Sequence, residues 1–193
     1  DKYYVLLNNF LIDLNSRKFN EKIYNVIISR NGIKDFIYEY TSINDLYQTR
    51  SISKLISALC VGKLIDSQKY KIGNRVLDVD SCIWPIFQGN IKIHSLKNIE
   101  YFKKVTIKHL LTQSVGYDNN ELLFSHAIKD IAPTKLLDYV FNEPIIHEPG
   151  KTFVNSNASA YILSVLFKDF TVRSLNFYAH VNIFYQLLLS NHS

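Results

Sequence analysis

Methionine is missing from all 193 residues, and cysteine is scarce, with only two. With no methionine to initiate it, the chain is not expected to begin natively at Asp1; a leader removed by processing or an internal beginning would account for it. Cys60 and Cys82 form no CxxC pair and no Cys/His cluster with metal-ligand spacing. Cys60 falls within an apolar helical stretch, where a buried free thiol is the ordinary outcome. No apolar run is long enough to span a bilayer. The net charge is +5, from 22 Lys and Arg against 17 Asp and Glu, yet the basic residues are scattered. A nucleic-acid stripe needs them clustered on one face, so no nucleic-acid partner is expected. A solvated basic surface suits an anionic setting such as a bacterial cell wall. Also absent are the GxSxG elbow, HExxH, the Walker A loop and GxGxxG. His94, His109, His126, His147, His180 and His192 share no ligand spacing, and surface or capping roles are expected for them. The 13 Tyr and 12 Phe residues are not interleaved with basic residues as on an RNA platform.

What is present suits one globular domain over residues 1–193: 47% of residues are hydrophobic and 20% charged, enough for one sizeable core. Tyr3, Leu6, Leu7, Phe10, Leu11 and Leu14 are spaced for one face of an N-terminal helix. Residues 22–40 read as a β-hairpin. Two runs rich in β-branched and aromatic residues flank Asn31-Gly32, a pair suited to a type I′ turn because both positions need positive φ. From 51 to 66 the period turns helical, with Ile52, Leu55, Ile56 and Leu59 as a stripe and Cys60 beside it. Residues 70–80 read as a loop with short extended pieces. Further helices are expected from Val105 to Thr112, ended by Gly116; after Pro133, through Leu136, Leu137 and Val140; from Asn157 to Phe167, with Tyr161, Ile162, Val165 and Leu166 apolar; and over 174–189. Glu148-Pro149-Gly150 reads as a turn. Helix, hairpin, then mostly helices is an α+β order.

Ser51-Ile52-Ser53-Lys54 carries the chemistry. Positions i and i+3 share a helix face, so the Ser51 hydroxyl and the Lys54 amine can meet on the opening turn. A serine hydroxyl needs a neighbouring base to take its proton, and a lysine serves only when its pKa is brought toward neutrality. A helix N-terminus favours negative charge developing at Ser51, whose own N–H can supply half of an oxyanion hole. The rival reading is an N-capping serine with an exposed lysine one turn later.

The stretch Thr49-Arg50-Ser51-Ile52-Ser53-Lys54-Leu55-Ile56-Ser57-Ala58-Leu59, with Gly62, Leu64 and Ile65, resembles the nucleophile helix of class C β-lactamases and related penicillin-binding proteins, the D-Ala-D-Ala peptidases. Lys69 to Val79 resembles the segment that follows that helix. Val105 to Gly116 is similar to the family's ThrIle…LeuLeuThr…Ser-Gly segment, Pro149 to Asn157 to its Pro-Gly…Phe-x-Tyr-Ser-Asn segment, and Ser174 to Leu188 to the next helix. The hairpin lies where the family has its first two strands. The resemblance implies a β-lactamase/transpeptidase-like α+β fold and attack by Ser51 on a β-lactam, a D-Ala-D-Ala peptide or an ester. It implies Lys54 as base and proton shuttle and Asn157 as the residue that bonds the lysine and the substrate amide. It also implies no metal or cofactor and an extracytoplasmic location.

Two departures stand out. Asn155 occupies the place of the family's tyrosine, and an amide is no base at neutral pH, so proton removal falls to Lys54; Asn155 is left as a substrate-binding candidate. Asn155 and Asn157 keep a rival role, capping the helix that follows. The family's third motif, Lys-Thr-Gly or His-x-Gly on a later strand, has no counterpart here. The final helix departs too, with Val172, Gln186 and Leu188 where Gly, Pro and Gly are frequent. Two strands alone are marginal in water. The expectation is therefore that later strands of a longer parent are missing, or that self-association or another chain completes the sheet. A catalytically degenerate binding or regulatory protein of the same fold remains the alternative reading.

Overall fold

Asn31 and Gly32 both take positive φ, 52° and 76°, and the chain reverses on those two residues as type I′ chemistry demands. In the computed structural model, which describes residues 2–16, 25–39 and 47–187, they join strands β1 (Asn25–Arg30) and β2 (Ile33–Glu39). The strands pair antiparallel from Arg30↔Ile33 to Asn25↔Glu39, with an irregularity between Ile28 and Ser29 that leaves Asp35 without an opposite residue. Residues 22–24 and 40 of the expected hairpin lie outside the described residues. Helix α1 (Lys2–Ser16) precedes it. Of the face expected for α1, Leu11 is buried and Leu7 half-buried, whereas Leu6 and Phe10 are exposed.

Read from sequence as one domain, the chain divides into two compact units, Asp1–Thr49 and Arg50–Ser193. The second unit opens with a 3-10 turn (Arg50–Ile52) running into α2 (Ser53–Asp66). There follow the short strands β3 (Lys71–Ile72) and β4 (Arg75–Val76), α3 (Trp84–Phe87), α4 (Leu96–Phe102), α5 (Ile107–Leu111) and α6 (Ser125–Ile128). A 3-10 turn at Pro133–Lys135 leads into α7 (Leu136–Asn142), then come α8 (Asn157–Thr171) and α9 (Leu175–Ala179), which passes into a π turn at His180–Phe184. The single helix expected over 174–189 is thus a short α-helix continued by a π turn; 188 and 189 lie outside the described residues.

The core of this unit gathers Cys60, Val61 and Leu64 of α2, Ile107 and Leu110 of α5, and Ile162, Leu166 and Phe167 of α8. Phe102 stacks on Phe141 with ring centres 4.3 Å apart, and Phe87 and Tyr117 close the cluster around them. Each phenyl ring buried in this way contributes roughly 1.5–3 kcal/mol. The stripe expected on α2 is corrected in part: Ile56 packs against the core and Cys60 beside it is buried, but Ile52, Leu55 and Leu59 are 68%, 59% and 47% exposed, and the buried face is Cys60, Val61 and Leu64. The helix is apolar on nearly every side, so periodicity does not choose its face.

Polar side chains knit the loops. Asn98 is buried with its amide satisfied: Nδ2 donates to the carbonyls of Phe141 and Glu143, and Oδ1 accepts from the Ile145 N–H. The end of α5 also differs from expectation. Gln113, with φ 51°, takes the left-handed position after the helix. Gly116, with φ 109°, instead lies against the 145–147 segment, whose Ile146 and His147 N–H groups donate to its carbonyl. A Cβ on Gly116 would stand 2.2 Å from the His147 carbonyl oxygen, so only glycine permits that approach.

Candidate active site

Ser51 sits in the 3-10 turn that opens α2, directly after Arg50, whose φ is 46°. That left-handed residue bends the chain into the turn, a conformation that costs an L side chain roughly 1–2 kcal/mol. Ser51 is exposed. Lys54, one turn on and half-buried, donates from Nζ to Ser51 Oγ at 3.1 Å. The same Nζ donates to Asn157 Oδ1 at 3.2 Å, across a sequence separation of 103 residues. α2 packs on α8, and Asn157 is the first residue of α8, which is how the two motifs meet. Asn157 Nδ2 in turn donates to the Leu123 carbonyl at 3.5 Å.

The capping role weighed for Asn157 is taken by its neighbour. Ser156 is the N-cap of α8, and its Oγ accepts from the Ala158 N–H at 3.1 Å. Asn157 thereby keeps its amide for Lys54. At Ser51 the capping alternative is not what forms either: the hydroxyl that reaches the backbone is that of Ser53, which donates to the Arg50 carbonyl at 2.7 Å.

Asn155 is not drawn into this constellation. It is exposed and lines an open cleft of about 510 Å³ with Asp118, Asn120, Glu121, Phe124, Phe153 and Val154. The cleft flanks the constellation, since its walls come from the residues on either side of Leu123 and just before Asn157.

The stretch leading to Asn157 is held by the turn after α5. Gly150 N–H donates to the Ser114 carbonyl at 2.7 Å, Val154 N–H to the Gln113 carbonyl at 3.0 Å, and Ser156 N–H to Gln113 Oε1 at 2.9 Å. The Leu123 carbonyl and Gln113 escaped the sequence reading. A backbone acceptor leaves no signature in a side-chain motif, and glutamine in the left-handed region has no sequence mark.

His109 lies beside this turn, its Nε2 close to the Cα of Gly150, and its Nδ1 accepts from the Thr106 N–H at 3.2 Å. Burial, with the charge of Lys108 beside it, holds its imidazole below the usual histidine range. His94 is exposed, His180 half-buried, and His147 stands 3.5 Å from Asp118; the His126 side chain and His192 lie outside what is described. Among the described residues, no group of three or more His, Cys, Asp or Glu could hold a metal ion, and no helix is long and apolar enough to cross a membrane.

What the arrangement can do is bounded by its donors and acceptors. A neutral lysine amine has two N–H bonds and one lone pair. In the structure Nζ donates to both Ser51 Oγ and Asn157 Oδ1; taking the Ser51 proton requires a lone pair at Oγ in place of the first of these donations. Compared with known proteins, residues 40–189 match the model of the family described as Beta-lactamase.

Proposed function

The chain belongs to the β-lactamase family of serine hydrolases, and within it we propose that Ser51 is the nucleophile of an acyl-transfer reaction. The observation that carries the reading is the single Nζ of Lys54 shared between Ser51 Oγ and Asn157 Oδ1. Ser51 Oγ attacks the carbonyl carbon of a β-lactam, a D-Ala-D-Ala peptide or an ester, and its proton passes to Lys54 Nζ. The Ser51 N–H, on the opening turn, faces the developing oxyanion. The intermediate collapses by breaking the bond to the leaving nitrogen or oxygen, which takes the proton back from Lys54. An ester on Ser51 remains. Water, deprotonated by Lys54, attacks the ester carbonyl; the bond to Ser51 Oγ breaks, Oγ takes the proton back from Lys54, and the acid is released. Asn157 holds the lysine and the substrate amide, and Asn155 lines the cleft beside them. An extracytoplasmic site of action facing cell-wall peptides goes with this reading.

The test is labelling with a fluorescent penicillin and with a fluorophosphonate. Labelling is expected in the native chain and none in Ser51→Ala; Lys54→Ala is expected to slow it about 100-fold or more, the usual worth of a positioned base. Adduct formation that persists in folded Ser51→Ala rules out this nucleophile. A second reading, a degenerate binding protein of the same fold, is favoured by one residue: Asn155, exposed, whose amide cannot serve as a base. Folded native chain that takes up neither label supports it.

A further inference from the structure

We propose that Gln113 is a positioning residue that sets where Asn157 stands against Lys54; its consequence for rate rests on the acyl-transfer reading above. Gln113 holds φ at 51°, a region that costs an L side chain roughly 1–2 kcal/mol and that glycine occupies readily. The left-handed turn aims two acceptors of one residue at one stretch of chain. The backbone carbonyl takes the Val154 N–H at 3.0 Å, and the side-chain Oε1 takes the Ser156 N–H at 2.9 Å. The first bond a glycine would supply equally well. The second needs the amide.

Ser156 is only 2% exposed, so without Oε1 its N–H would be a buried donor lacking both partner and water. Ser156 is also the N-cap of α8, and the next residue is Asn157. A shift of the cap therefore moves the first turn of α8, and with it the oxygen that receives the Lys54 amine. Misplacement of a catalytic group by about 1 Å is enough to cost on the order of 100-fold in rate.

Two substitutions separate this role from ordinary stabilisation. Gln113→Gly relieves the backbone and removes Oε1; Gln113→Glu keeps an acceptor of the same reach. Amide exchange across α8 first establishes that both are folded. Ser51 labelling by the fluorophosphonate is expected to slow about tenfold or more in Gln113→Gly and to return most of the way in Gln113→Glu. Labelling of Gln113→Gly at the native rate overturns the proposal. If the native chain takes no label, the acyl-transfer reading falls and the positioning claim is decided by nuclear magnetic resonance alone. Exchange of the Ser156 amide is expected to rise about tenfold in Gln113→Gly, as the loss of one buried hydrogen bond implies. The Asn157 side-chain amide signals are expected to shift with it, and both to recover in Gln113→Glu. An Asn157 signal that stays where it was in Gln113→Gly refutes the positioning role.

Discussion

At the scale of single residues, two positions beside the site make opposite demands. Gly116 must have no side chain: the nearest atoms a Cβ would meet include the His147 carbonyl oxygen at 2.2 Å and Ile145 Cγ2 at 2.9 Å, and backbone cannot swing away. Gly116→Ala is expected to lower stability by about 2–4 kcal/mol, the range of clashes at strained positions, read as a drop in urea midpoint. His109 must stay neutral, because its Nδ1 accepts the Thr106 N–H and a protonated ring has no acceptor. Burial and Lys108 lower its pKa, against the weaker opposing pull of Asp80 and the Lys104 carbonyl. Since the folded value lies below the unfolded one, the unfolded chain binds the extra proton first as pH falls. This contribution to stability is full above the ordinary histidine value and is lost as pH drops through it toward the lowered one. His109→Gln keeps a capping acceptor that does not titrate. Between about pH 7.5 and about pH 5.5, around the ordinary histidine value, its urea midpoint should fall less than that of the native chain. Equal slopes would mean that His109 does not link folding to pH.

At the scale of elements, glycine and cap chemistry separate by context. Gly32 has positive φ like Gly116, yet nothing lies within 4 Å of a Cβ built there. Gly32→Ala is therefore expected to cost only the conformational share, roughly 1–2 kcal/mol, seen as faster amide exchange in β1 and β2. The α8 cap is worth about 1 kcal/mol on general grounds, and Ser156→Ala should lose about that much in thermal unfolding. Asn31-Gly32, Pro133 and the Glu148-Pro149-Gly150 turn were legible in the chain because each imposes its own φ locally. So was the meeting of Ser51 with Lys54, which needs only i, i+3 spacing. The facing of α2 was not legible, because Ile52, Leu55 and Leu59 are as apolar as Cys60, Val61 and Leu64. The helices α3, α4 and α6 are too short, at four, seven and four residues, for a 3.6-residue period to show. Gln113 took the left-handed place expected of Gly116 because Gly116 was needed where a carbonyl comes within reach.

At the scale of the whole chain, the second unit's core can be followed through a thiol. Burial raises Cys60 to about 11, whereas Cys82 is half-buried with its Sγ–H on the Lys103 carbonyl. A disulfide reagent at neutral pH is expected to modify Cys82 first and to reach Cys60 only as that unit unfolds, since the thiolate is the reacting form. Phe141→Ala, which removes the ring stacked on Phe102, costs about 3–5 kcal/mol by comparison with other buried aromatics and should expose Cys60 at lower urea. If Cys60 reacts as fast as Cys82 in the native chain, the packing described around α2 is wrong. The division at Thr49/Arg50 was not written in composition, which shifts nowhere near it. By itself the sequence determined the hairpin turn, the helix-rich order and the Ser51–Lys54 pair, because those follow from dihedral preferences and neighbours within one turn. The resemblance had already set Asn157 against Lys54; only the tertiary structure decided that Ser156 rather than Asn157 does the capping and which side of α2 is buried. The facing of α2 depends on packing against α8, about a hundred residues further along the chain, where local preference has no say.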